Sequence, residues 1–232
     1  MSNDAPTHIT VLENGPYLVA GDAPLRIETI GIDAQDEAWE WIAGPAIDHP
    51  AKYALCRCGA SSKKPFCDGT HVGVKFDGTE VATHAPYAEQ AARIPGPTLV
   101  LEDAEALCAF GRFCDAKGKI WNLVHEPGGE ATRELVAREA AHCPSGRLVV
   151  RENGVALEPE YAPAIVLVED PQKACSGPIA LRGGIVVASH DGTSYETRNR
   201  VTLCRCGASA NKPFCDGAHA DVAFRDGLTT VA

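Results

Sequence analysis

CRCGASSKKPFCDGTH occupies positions 56–71, and CRCGASANKPFCDGAH occupies positions 204–219. Thirteen of the sixteen positions are identical, including every Cys and His. Three soft thiolates and one imidazole at fixed spacing form a ligand set for a metal. A chain that carries the set twice is expected to hold two inorganic centres, with its function residing in them.

Within the first copy, Cys56 and Cys58 are two apart. On extended backbone their side chains share a face but lie about 6–7 Å apart. Gly59 permits a turn that draws them together. Cys67 and His71 are four apart, which is one helical turn on one face. Asp68 is placed to cap that turn, and Gly69 leaves room beside a bulky centre. Cys204, Cys206, Cys215 and His219 repeat the arrangement. One tetrahedral Zn²⁺ suits such a Cys₃His set. A 2Fe-2S cluster, with two ligands per iron, suits it as well. Ligand chemistry alone favours zinc, and the spacing leaves both open.

The repeat extends beyond the cassette. Asn14-Gly15-Pro16 matches Ser176-Gly177-Pro178, and each opens a β-rich stretch, residues 17–30 and 179–189. Tyr53-Ala54-Leu55 and Val201-Thr202-Leu203 lead into the two cassettes. Downstream, Val74-Lys75-Phe76 matches Val222-Ala223-Phe224, with the alternation of a half-buried strand. Gly15 to Cys56 spans 41 positions, but Gly177 to Cys204 spans 27. The surplus falls in residues 33–50, which hold Trp39 and Trp41 and read as a loop or short helix covering the first module.

A different segment separates the copies. Ile94-Pro95-Gly96-Pro97 punctuates its start. Asp103 is placed to cap a helix over residues 104–113. A second helix pattern runs over residues 130–141 and is stopped by Pro144 and Gly146. The expected layout is a first module at 1–94, an insert at 95–158 and a second module at 159–232.

The pattern C-x-C-x2-Ser-x3-Pro-x-C-Asp-Gly-x-His resembles the CDGSH iron–sulfur, or mitoNEET-like, family. Cys56, Cys58, Ser61, Pro65, Cys67, Asp68, Gly69 and His71 match it, as do Cys204, Cys206, Ser209, Pro213, Cys215, Asp216, Gly217 and His219. Thr70 and Ala218 stand where the family name has Ser, a position that is not a ligand. The resemblance implies a 2Fe-2S cluster in each copy, bound by three Cys and one His. Cys56 and Cys58, or Cys204 and Cys206, would hold the inner iron. Cys67 and His71, or Cys215 and His219, would hold an outer iron near solvent. A neutral His in place of a thiolate raises the potential, and an imidazole near solvent makes ligation pH-sensitive. Both imidazoles, at His71 and His219, are expected to be exits for electrons or clusters. The family pairs two protomers through a β-sandwich cap, so an intramolecular pseudo-dimer is expected here, because a module of about 70 residues buries little core alone.

The insert contains Cys108 and Cys114 in C-x5-C spacing and then Cys143-Pro144. This resembles the divergent single-cluster ferredoxins, which implies a 3Fe-4S or 4Fe-4S cluster on Cys108, Cys114 and Cys143. No fourth ligand is evident. The alternative is a small helical domain with buried Cys.

The expected fold class is therefore α+β, two β-rich CDGSH modules and a small helical ferredoxin-like insert. The expected function is electron transfer, or cluster storage and transfer to an apo-acceptor. A zinc-stabilised protein-interaction module is the alternative. An enzyme is not expected, since the well-placed thiols are committed to metal and no phosphate loop, G-x-S-x-G or H-E-x-x-H occurs.

Bulk properties agree. The 232 residues carry a net charge of −10, which repels the phosphates of nucleic acid and anionic membranes. Gly and Pro number 22 and 16, so short strands and loops are expected. The polar start MSNDAPTHIT lacks a secretion-signal pattern, and no apolar run reaches the roughly 18 residues of a membrane span. Ten Cys without a secretion signal point to metal ligation over disulfides, in a cytoplasmic monomer. Cys175 has no counterpart in the repeat, where Glu13 stands, and reads as a free thiol. His142 reads as a surface residue at a helix end. Arg57 and Arg205 read as charge partners for a cluster, as docking points or as solvated side chains.

Overall fold

The structure, a computed structural model, describes residues 6–229. The first part of the chain forms β1 (His8–Val11), β2 (Tyr17–Ala20), β3 (Leu25–Ile32), β4 (Ala38–Ala46) and β5 (Lys52–Leu55), then the short helices α1 (Thr70–Gly73) and α2 (Tyr87–Gln90). The middle forms β6 (Ala92–Pro95), β7 (Val100–Asp103), α3 (Ile120–Leu123), α4 (Glu130–His142), β8 (Leu148–Glu152) and β9 (Val155–Ala156). The last part forms β10 (Ala164–Asp170), β11 (Cys175–Arg182), β12 (Val186–Ser189), β13 (Arg200–Leu203) and α5 (Ala218–Asp221). The class is α+β, dominated by sheet.

Strands β1, β2, β3 and β5 recur as β10, β11, β12 and β13, each set ending at a cassette. The two sheets they build have the orders β12-β1-β2-β5 and β13-β11-β10-β3-β4. Each module thus gives its third strand to the other module's sheet. β12 lies parallel to β1, with His8 opposite Val186, and β3 lies parallel to β10, with Leu25 opposite Ile165. The exchange is reciprocal and defines a pseudo-twofold axis within one chain. Ile9, Val11, Val19, Leu25, Ile27, Ile165, Leu167, Ile179, Leu181 and Val187 share one core between the sheets.

β10 is buried along its whole length, which its unbroken run of Ile165-Val166-Leu167-Val168 requires. Ile165 and Leu167 point into the shared core, while Val166 and Val168 face Phe113 of the insert. The insert adds a four-stranded antiparallel sheet, β6-β7-β8-β9, to its helices. α4 matches the helix expected over residues 130–141.

Three local expectations are corrected. Residues 33–50 are neither loop nor helix, because their centre is β4, paired with β3 so that Trp41 lies opposite Ile30. The open edge of β3 and the β-preferring Trp residues decide it. Val74–Phe76 and Val222–Phe224 are not strands. They close the helical turns instead, with Phe76 N–H donating to the His71 carbonyl at 3.0 Å and Phe224 N–H to that of His219 at 2.9 Å. The helix expected after Asp103 shrinks to one 3-10 turn, Glu105–Leu107. Phe110 and Arg112 have φ of 55° and 64°, which breaks a helix there. Asp103 instead accepts from Arg147 at 2.6 Å and from Trp121 at 2.9 Å.

β4 and the insert, the two departures from internal symmetry, pack on each other. The rings of Trp41 and Phe113 lie 4.8 Å apart. Arg138 of α4 sits 4.3 Å over the Trp39 ring and donates to its carbonyl. Lys117 pairs with Asp33 and Glu37 at the base of β4.

Candidate metal centres

Each cassette is a loop held between the end of a strand and a helical turn. Cys56 N–H donates to the Pro65 carbonyl and Cys67 N–H to that of Ala54, both at 2.8 Å. Cys204 and Cys215 repeat these bonds to Pro213 and Thr202. The hydroxyls of Ser61 and Ser209 donate at 2.7 Å to the carbonyls of Phe66 and Phe214. Both Lys-Pro bonds in the loops are cis. Asp68 accepts from Thr70 and Ser62, and those hydrogen bonds hold its carboxyl well below the usual range. It therefore fixes the turn that carries His71.

This scaffold brings the donors together in pairs. Cys56 Sγ and Cys58 Sγ are 3.8 Å apart, and Cys204 Sγ and Cys206 Sγ are 3.9 Å apart. Nδ1 of His71 lies 3.4 Å from Cys67 Sγ, and Nδ1 of His219 lies 3.4 Å from Cys215 Sγ. Among the described residues, no three Cys, His, Asp or Glu side chains close on one point that would hold a single ion. Backbone N–H groups of Ala60, Gly69, Ala208 and Gly217 point at Cys58, Cys67, Cys206 and Cys215 from 3.4–3.5 Å. Such donors favour thiolate over thiol. The hydrogen bond from Cys206 holds the Cys204 thiol below its ordinary range, and the Cys206 thiol is pushed up in turn.

The cassettes meet at the pseudo-axis. Gly59 packs against the Cys206 carbonyl and Gly207 against the Cys58 carbonyl. Tyr17, fully buried in the first module, donates to the carbonyls of Cys204 and Pro213 in the second cassette, at 2.9 and 3.0 Å. Its counterpart is Ile179, so this support runs one way.

Arg57 and Arg205 are buried struts, not solvated or docking groups. Arg57 donates to the carbonyls of Leu12 at 3.1 Å and Gly78 at 2.6 Å. Arg205 donates to the Val168 carbonyl and pairs with Glu169 at 3.0 Å and with Asp226. Sequence reading missed this role, because the partners of each arginine are remote.

The expectation that both imidazoles face solvent is also corrected. Cys67 and His71 are partly exposed, whereas Cys215 and His219 are buried. Burial lowers the His219 pKa to about 4, so its ring is neutral at pH 7 and suited to ligation.

In the insert, Cys108, Cys114 and Cys143 line one pocket with Phe110, Arg147 and Pro144. Burial pushes the Cys114 thiol up, and the other two sulfurs add to the rise. No fourth Cys and no His lines this pocket. Cys175 lies fully buried in β11, where burial raises its thiol to about 11. His142 is half-buried against Phe113, its ring centroid 5.3 Å away, and is not the surface residue expected. No described helix is long and apolar enough to cross a membrane.

Residues 14–72 and 176–220 match a family model described as iron-binding zinc finger, CDGSH type. Residues 94–153 match one described as divergent 4Fe-4S mono-cluster. No curated protein and no solved structure gives a match.

Proposed function

We propose, from the premise that this chain is an iron–sulfur protein in which two CDGSH iron-binding modules flank a divergent 4Fe-4S mono-cluster segment, that each module holds one 2Fe-2S cluster and that the chain works in electron transfer or in cluster storage and transfer. The observation that carries this reading is the pairing of the donors. Cys56 with Cys58 and Cys67 with His71 form two close pairs, at 3.8 and 3.4 Å. Two irons, each completed by bridging sulfides, need two protein ligands apiece, whereas one structural zinc needs four around a single centre. The second cassette repeats the pairs with Cys204, Cys206, Cys215 and His219.

Such a cluster, when bound, takes up and returns one electron. The chain's own part is to hold the donors and to neutralise charge. Backbone N–H groups aimed at Cys58, Cys67, Cys206 and Cys215 offset the negative charge of the thiolates. A neutral imidazole removes one further charge. The partly exposed His71 is the surface through which a redox partner or an apo-acceptor protein reaches the first centre. In the insert, Cys108, Cys114 and Cys143 supply three thiolates to a 3Fe-4S or 4Fe-4S cluster. Both pseudo-symmetric centres lie in one chain, which therefore acts as a monomer.

The test is iron, sulfide and zinc content with the visible spectrum, on protein purified without oxygen. About seven or eight irons with matching sulfide is the expected result. About four irons would restrict the reading to the two cassettes. Colourless protein with zinc would overturn it.

A further inference from the structure

The two cassettes are nearly identical in sequence, yet their surroundings differ. Gly69, beside the first outer pair, has nothing within 4 Å of where a Cβ would stand. At Gly217, the equivalent point, the Cβ of Phe110 lies 3.2 Å away and the Cys108 carbonyl 3.6 Å away. Both come from the cysteine loop of the insert. The same loop is tied to the second cassette by Asn211, whose side-chain amide donates to the Ala106 carbonyl at 2.8 Å. Asn211 is one of the three cassette positions that differ between copies, and its counterpart Lys63 is exposed.

The loop is anchored independently of the cassette. Arg112 bonds Asp170 and Gln172, both at 2.5 Å. Arg200 of β13 donates to the carbonyls of Ala140 at 2.5 Å and Cys143 at 2.6 Å, at the end of α4. Phe113 is buried against Val166 and Val168. Beside this loop Cys215 and His219 are 2% and 3% exposed, while Cys67 and His71 remain open to solvent in part.

We propose that the insert is a fixed cap on the second CDGSH site, so that the first site alone exchanges its cluster with an acceptor while the second is retained. The proposal rests on the reading that both cassettes carry clusters. Release from a capped site requires local opening of the cap, and the equilibrium constant of that opening multiplies the rate.

Two ligand variants separate the sites. Cys67→Ser leaves the second cassette intact, and Cys215→Ser leaves the first. The insert is the same in both, so its own iron contributes equally. Iron loss to excess EDTA at fixed pH is then followed in each. The Cys215→Ser protein is expected to lose cassette iron at least about tenfold faster than the Cys67→Ser protein, which corresponds to about 1.4 kcal/mol of opening free energy. Adding Phe110→Gly and Asn211→Lys to Cys67→Ser removes the Phe110 Cβ at Gly217 and the Asn211 amide bond to the Ala106 carbonyl, without touching a cassette ligand. These changes are expected to bring the slow release most of the way to the fast one. Equal rates in the two ligand variants, or a slow release unmoved by the two cap changes, would overturn the proposal. Wild-type protein that holds no cassette iron at all would overturn the underlying reading, and the cap proposal with it.

Discussion

Replacing Gly207 by Ala places a Cβ 2.6 Å from the Cys58 carbonyl oxygen, across the pseudo-twofold axis. Both sides of that contact are backbone, so neither yields by a change of rotamer. Gly207 also has φ of 82°, and a left-handed Ala costs about 1–2 kcal/mol. Gly69 provides the control. Its φ is 88°, but its Cβ would meet open space, so Gly69→Ala carries the conformational cost alone. Overpacking adds about 1–3 kcal/mol, so Gly207→Ala should exceed Gly69→Ala by that amount. The site of the damage is also specified. The new methyl group lies in the second cassette, yet it displaces the carbonyl of a ligand in the first. Urea unfolding of both variants, with iron content of the first cassette read in the Cys215→Ser background, measures both effects. Equal midpoints for the two variants, with first-cassette iron retained, would refute the argument that the cassettes touch at this glycine.

Tyr17→Phe tests the one-way support between modules. It removes the hydroxyl from the Cys204 carbonyl, while the Pro213 carbonyl keeps the Cys204 N–H, at a cost of about 1–2 kcal/mol. Iron loss should accelerate from the second cassette and not from the first; acceleration confined to the first would contradict the assignment. Glu139 tests burial in the insert. Both its oxygens are buried without a partner among the described residues, and burial raises its carboxyl to about 8. The folded pKa lies above the unfolded value, so this group's contribution is fully present below about pH 4.3 and is lost as pH rises towards 8. The slope is at most about 1.4 kcal/mol per pH unit. Glu139→Gln should flatten the fall in stability between pH 5 and 8, measured by urea titration at each pH. An unchanged slope would show that the carboxyl is not buried as described.

The pairing of the candidate donors was legible because their spacing is local. Cys56 to Cys58 needs a turn, Gly59 supplies it, and its φ is 75°. Cys67 to His71 needs one helical turn, and α1 supplies it. Pairing partners are not local. The alternation of β3 and β12 identifies a buried face but not the strand beside it, so the exchange between sheets could not be read from the pattern. The same limit hid β4, where Trp39 and Trp41 fit more than one element until β3 offers an edge. Three alternating residues at Val74–Phe76 were too few to separate a strand from the end of a helical turn. Arg57 and Arg205 illustrate the case for charges. A positive side chain between two metal ligands suggests electrostatics or docking, and only the distant carbonyls of Leu12, Gly78 and Val168 reveal a strut.

The exchange of β3 and β12 also orders events at the ribosome. The partner of β3 is β10, and the partner of β1 on its outer side is β12. Both lie beyond the insert in sequence, so the nascent first half emerges with two strand edges uncovered. Contacts this far apart in sequence are slow to form, and open edges invite pairing with other chains. In the second half β10 supplies the partner of β3 first, and β12 supplies the partner of β1 after it. A chain stopped before residue 186 therefore lacks β12 and cannot complete the sheet that leads into the first cassette.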